Sequence, residues 1–282
     1  MDAISNYAAR YVRLREEEMS IDEYLALCQR DPMAYGSAAE RMLAAIGEPE
    51  MVDTRSDPHL SRLFANKVIR RYPAFAEFYG MEDAIEQVVS FFRHAAQGLE
   101  ERKQILYLLG PVGGGKRSIA ERLKYLMQKV PFYALKGSPV NESPLGLFDV
   151  AEDGPVLEEQ FGIPRRYLQH VLSPWAVKRL DEYGGDIRKF RVVKRYPSIL
   201  KQIAIAKTEP GDENNQDISS LVGKVDIRKL ENFAQDDTDA YSYSGGLCLA
   251  NQGLLEFVEM FKAPIKVLHP LLTATQEGNY KG

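Results

Sequence analysis

The chain has 282 residues, a formal net charge of −4, 45% hydrophobic and 27% charged residues, which is ordinary for a soluble globular protein and leaves no general drive toward nucleic acid or anionic membrane. Its length suits one large domain with an appendage, or two small ones. Two distant cysteines, Cys28 and Cys248, exclude a disulfide framework or zinc site and read as buried thiols of a reducing compartment.

Residues 1–50 read as helical. The N-terminus carries charge where a signal peptide needs an apolar core, and no apolar run approaches the ~20 residues that span a membrane, so the expected location is the cytoplasm. Ser20 and Glu23 form a capping box before Leu25, Leu27 and Cys28. A second helix runs through SAAERMLAAIG and stops at Gly47. After a mixed stretch, Gly80 opens MEDAIEQVVSFFRHAAQ, whose apolar positions Ala84, Ile85, Val88, Val89 and Phe92 make one amphipathic stripe. QGLEERKQ is a polar linker. ILYLLG, apolar throughout, predicts a buried strand of a parallel sheet, and Ser118–Val130 a helix. PFYALKG predicts the next strand.

Residues 137–240 hold much Gly and Pro punctuation. The basic runs 165–167 and 190–196 read as solvated faces. YPSILKQIAIA suggests a helix, and TEPGDENNQD a mobile surface loop. GGLCLAN and GLLEFV both read as short strands. LHPLLTATQEGNYKG predicts a helix running into one arm of a hairpin, an unstable stopping place that points to a piece of a longer protein.

The stretch with the most chemistry is GPVGGGKRS. It follows the phosphate-loop pattern G-x-x-x-x-G-K-[ST] through Gly110, Pro111, Val112, Gly113, Gly114, Gly115 and Lys116, then breaks it at Arg117. Glycines let backbone N–H groups converge on an anion, the following helix adds its N-terminal dipole, and Lys116 reaches terminal phosphates. A guanidinium cannot ligate magnesium. Ser118 is one position late, and about 100° of helix rotation carries its hydroxyl away. Two outcomes stay open: magnesium held by water and acids elsewhere with slow turnover, or nucleotide binding with poor hydrolysis. Arg117 can itself pair with phosphate.

A nucleotide hydrolase also needs a carboxylate beyond a neighbouring strand, and GLLEFVEM offers Glu256 and Glu259. Glu259 would follow the strand's C-terminal end, where open α/β sheets keep ligands. Glu256 would lie inside the strand, an uncomfortable place for a carboxylate without a cation. His59, His94, His170 and His269 show no ligand spacing. There is no G-x-S-x-G, H-R-D or D-F-G.

GPVGGGK, FYGMEDAIEQVVS, FRVVK, IAKTEPGDENNQDISSLVGKVDIRKLE and LANQGLLEFVEMFKAPIKVLHPLLTATQEGNY together resemble the N-terminal AAA domain of the PrkA-type serine protein kinases of bacteria, over essentially the whole chain. The resemblance implies an α/β fold, an AAA+ P-loop NTPase core with a parallel sheet. A small helical segment at 1–60 would precede the ATP-binding domain at 61–282. Nucleotide would lie between the glycine loop and the segment around Tyr79 and Gly80, near the adenine, and Glu259 would be the catalytic glutamate and metal residue. The Asp that precedes it in the wider AAA+ branch is Val258 here, and relatives carry Ser at Arg117, which puts magnesium binding in question. Sensor asparagine, arginine finger, lid and kinase segment would lie past Gly282. The implied cofactors are ATP and Mg²⁺. The implied partners are a protein substrate and other copies in a ring; no nucleic acid or membrane is implied. Three activities compete: ATP-binding module of a serine protein kinase, regulatory scaffold with a structural nucleotide site, and ATP-dependent protease subunit.

Overall fold

The structure is a computed structural model that describes residues 2–98, 105–110, 113–168, 171–209 and 218–277. Its first helices are α1 (Ala3–Arg13), α2 (Ile21–Arg30), α3 (Ala38–Ile46), α4 (Pro58–Phe64), α5 (Glu82–Ala96) and α6 (Lys116–Met127). They are followed by α7 (Gly154–Phe161), α8 (Pro174–Glu182), α9 (Ser219–Val222), α10 (Gly246–Leu249) and α11 (Ile265–Glu277). Strands are β1 (Glu17–Ser20), β2 (Glu50–Asp53), β3 (Val68–Arg71), β4 (Phe132–Leu135), β5 (Arg191–Arg195), β6 (Ile205–Thr208), β7 (Lys224–Val225), β8 (Tyr241–Ser242) and β9 (Leu254–Phe257). The chain divides into two compact units, one of residues 37–130 and one of residues 1–36 with 131–282.

In the larger unit, β1, β5 and β4 form an antiparallel sheet in that order. Val192 and Val193 of β5 are buried. The charged residues around them meet the acidic run before and within β1: Arg191 pairs with Glu18 at 3.0 Å, Lys194 with Glu17 at 3.7 Å and Arg195 with Glu16 at 2.8 Å. Exposed pairs contribute only about 0.2–1 kcal/mol each, so the valines hold the sheet while the charges select its register. The basic run 190–196 is therefore a strand, and its charges are paired rather than simply solvated. Residues 1–50 are likewise not all helical, since β1 and the start of β2 fall within them.

Helix α2 covers this sheet with Ile21, Tyr24, Leu25 and Cys28, the i, i+3, i+4, i+7 stripe of an amphipathic helix. Its capping box forms: Ser20 Oγ accepts from the Glu23 N–H, and the Ser20 N–H donates back to the Glu23 carboxylate. Burial pushes the Cys28 thiol up to about 12 and raises the half-buried Cys248 thiol as well.

Among the described residues the expected parallel sheet appears as a single pair, β6 with β9, in register Ile205 to Leu254 through Thr208 to Phe257. Two expectations nearby fail. YPSILKQIAIA is a turn closed by the Ser198–Ile203 bridge and then β6, because Gln202 and Ala204 take positive φ of 52° and 54° and no helix can run through them. GGLCLAN is not a strand; its centre is α10, packed so closely on β6 that a Cβ at Gly246 would stand 2.6 Å from Thr208 Oγ1. Gly253 then opens β9 where any side chain would strike the Ala204 carbonyl.

In the smaller unit, β2 pairs antiparallel with β3. Helix α5 buries Ile85, Val88, Val89, Phe92 and Ala95, and α6 buries Ile119, Leu123, Leu126 and Met127. Ala84 lies outside that stripe, on the exposed face. Arg41 of α3 is 1% exposed, and desolvation lowers its guanidinium to about 10. ILYLLG does not form the expected strand: Ile105 and Tyr107 are exposed, and Leu109 is 81% exposed. Among the described residues its apolar side chains have no partner strand, which a buried parallel position requires.

Candidate nucleotide-binding loop

Helix α6 begins at Lys116, two residues earlier than Ser118, and the described part of the loop before it has two glycines of positive φ. Gly113 and Gly115 have φ of 81° and 77°, a region that L side chains rarely adopt. Gly115 is the N-cap residue in left-handed conformation, and among the described residues no side chain caps the helix. The first N–H groups of an α-helix have no partner within the helix itself. Lys116 Nζ donates to the Gly110 carbonyl, so the lysine folds back across the loop it opens from. Arg117 and Ser118 are exposed on the first turn, where there is no acidic residue. Pro111 and Val112 lie outside the described residues, as do the core of TEPGDENNQD and the hairpin arm after residue 277.

The segment at Tyr79 and Gly80 comes to the same place. Glu77 pairs with Arg122 of α6, and Met81 Sδ lies 3.0 Å from where a Cβ at Gly115 would stand. Gly80 takes a positive φ of 76°, and Tyr79 is 76% exposed with the Arg71 guanidinium 5.7 Å from its ring centre. An exposed aromatic ring beside a phosphate-type loop is a surface on which a base can stack.

Glu256 and Glu259 belong to the other unit. Glu259 directly follows β9 beyond Val258, in left-handed conformation (φ 52°, ψ 43°), at the strand's C-terminal end. Its carboxylate is exposed and pairs with Lys262 at 2.9 Å. Glu256 lies within β9, half-buried, at the position opposite Lys207 of β6 in the strand register. Among the described residues no three His, Cys, Asp or Glu side chains converge as a metal cluster. The loop offers phosphate a better fit than it offers magnesium, whose expected hydroxyl position is filled by Arg117.

Sequence reasoning missed the roles of Asn251 and Gln252. The Asn251 amide donates to the Val140 carbonyl at 2.7 Å, and the Gln252 amide donates to Tyr133 and Asn141 carbonyls at 3.0 and 2.6 Å. The distinctive NQG string ties β9 to the turn after β4; two amides before a glycine between strands were the available signal. It also missed a charge cluster in the same unit. Lys178 pairs with Asp237 at 2.8 Å and Asp239 at 2.6 Å, and both carboxyls are held below the usual aspartate value, first by that hydrogen-bonded lysine.

The model of the PrkA AAA domain matches residues 19–282. The chain belongs to that family. It is 69% identical over 286 residues to the protein called serine/threonine kinase YeaG of Escherichia coli K12, a match that covers 100% of this chain and 44% of that protein. A second relative, called ATP-dependent protease PrkA, from Bacillus subtilis strain 168, is 34% identical over 292 residues, covering 99% of this chain and 43% of its own length. The chain thus spans less than half the length of the curated relatives it matches. No solved structure matches it. The family bears out the resemblance read from the motifs and supports an α/β AAA-type fold. No helix among the described residues is long and apolar enough to cross a membrane.

Proposed function

We propose that the chain binds ATP or ADP through residues 110–118, with Tyr79 and Gly80 beside the adenine. The observation that carries this reading is the start of α6. Two glycines of positive φ precede it, no side chain among the described residues caps it, and Lys116 and Arg117 add positive charge to an already positive helix end. That arrangement is unfavourable alone and favourable around a phosphate. When bound, ATP with Mg²⁺ supplies the transferable phosphoryl group. Lys116 and the N–H groups of Gly113–Ser118 hold negative charge; Arg117 adds a second cation to it. Glu259 is the residue we assign to orient water or hold metal, with Glu256 as a supporting acid.

At the level of the whole protein we read the chain as the ATP-binding module of a PrkA-type serine protein kinase, cytoplasmic and assembled from several copies, acting on a protein substrate. The kinase name of the 69% identical relative supports this. A second reading, ATP-dependent protease or scaffold with slow hydrolysis, is favoured by Arg117 at the magnesium position and by the protease name of the Bacillus relative. Calorimetry with ADP, with and without Mg²⁺, tests the binding; no heat from a folded sample refutes it. Arg117→Ser is expected to make affinity rise on adding Mg²⁺ and to raise ATP turnover several-fold. In protein of the relatives' full length, phosphorylation of casein against its cleavage separates kinase from protease.

A further inference from the structure

Glu82 opens α5 and is 6% exposed, and its Oε2 has no hydrogen-bond partner among the described residues. Buried carboxylate oxygens are normally satisfied, because losing water without a replacement donor is costly. The position is specific. Glu82 extends the buried face of α5 that runs through Ile85, Val89 and Phe92, at the end where Met81 meets Gly115 and Glu77 reaches Arg122. It therefore stands at the edge of the same segment, 77–82, that borders the glycine loop. Complementing the α5 dipole does not explain it, since Asp83 in the same turn does so from the exposed side at no desolvation cost.

We propose that Glu82 sets the base specificity of the nucleotide site, its carboxylate accepting a hydrogen bond from the exocyclic 6-amino group of adenine. This rests on the nucleotide reading above. The chemistry is one-directional: an ionised carboxylate only accepts. It is satisfied by the 6-amino group and opposed by the 6-oxo group of hypoxanthine or guanine, which also only accepts. Selectivity comes as much from that repulsion as from the bond to adenine. Sites built around a buried polar partner discriminate strongly, because the wrong base leaves the partner unpaired.

The test is calorimetry of the 282-residue chain with ADP, IDP and GDP. Wild-type protein is expected to bind ADP at least about tenfold more tightly than either 6-oxo nucleotide. Glu82→Gln, whose amide can both accept and donate, is expected to bring ADP and IDP within about threefold of each other. Equal affinity of the wild-type protein for ADP and IDP overturns the proposal without any variant, so misfolding of the substituted chain does not shelter it. An ADP preference that persists unchanged in folded Glu82→Gln overturns it too. In both cases the phosphate cradle stands, provided Lys116→Ala weakens ADP binding about 100-fold. Binding of no nucleotide at all by folded wild-type protein removes the cradle and this inference together.

Discussion

Helices α5 and α6 lie in the same compact unit and have similar lengths, yet their beginnings carry opposite charge. Helix α5 starts with Glu82 and Asp83 and ends near Arg93 and His94, so its side chains oppose the backbone dipole at both ends. Helix α6 starts with Lys116 and Arg117, has no acid in its first turn, and is preceded by a glycine that cannot cap it. One helix is electrostatically complete by itself. The other carries cations at its positive end, each of which costs it about 0.3–1 kcal/mol and would be offset by the anion proposed to bind there. The pair separates a helix start whose charges match its dipole from one whose charges oppose it, and charge changes at the exposed positions of the two starts should behave as opposites.

The largest expected effect is from Lys116→Ala. Losing a charge-assisted contact to phosphate should weaken ADP about 100-fold, on the order of 3 kcal/mol, while the unfolding midpoint without nucleotide stays level or rises slightly. Equal ADP affinity in calorimetry would break the comparison at its root. Gly115→Ala comes next. It forces a Cβ into left-handed backbone and against the Met81 sulfur, so denaturant titration should show a loss of about 1–2 kcal/mol, with weaker ADP binding besides. A matched charge reversal then sharpens the contrast. Asp83→Lys in α5 should cost about 0.5–1 kcal/mol of stability, whereas Arg117→Glu in α6 should gain a similar amount without nucleotide and weaken ADP. The same sign at both sites would mean the two ends are not opposites. The smallest effect is from salt: at about 1 M, where the screening length is near 3 Å, the two reversals should converge toward zero in the same denaturation experiment.

Local signals in the sequence were legible and long-range ones were not. The Ser20–Glu23 box, the stop of α3 at Gly47, the α5 stripe, and strands β4 and β9 all depend on residues within a turn or two of each other, and all are present. The glycine loop opening a helix was equally readable. ILYLLG and GGLCLAN failed for one reason: short apolar runs have no period, so nothing in them distinguishes strand, helix or extended chain. The antiparallel sheet was hidden because Glu18 and Arg191, which help fix its register, are 173 residues apart. In retrospect the acidic run 16–18 and the basic run 191–195 are complementary, but only a pairing partner turns two surface-like runs into adjacent strands. Glu82 was invisible for a different reason: an acid in the first turn of a helix is commonplace, and only its burial makes it unusual.

The Gln252 amide, held in left-handed backbone at φ 61°, grips two carbonyls of the β4 turn at once. A slip of β9 by a single residue along β6 would break both bonds and turn Glu256 to the opposite face of the strand pair. The parallel pair is pinned at its entrance and cannot absorb a push by sliding. That fixed register also sets where the chain leaves β9, at Val258 and then Glu259.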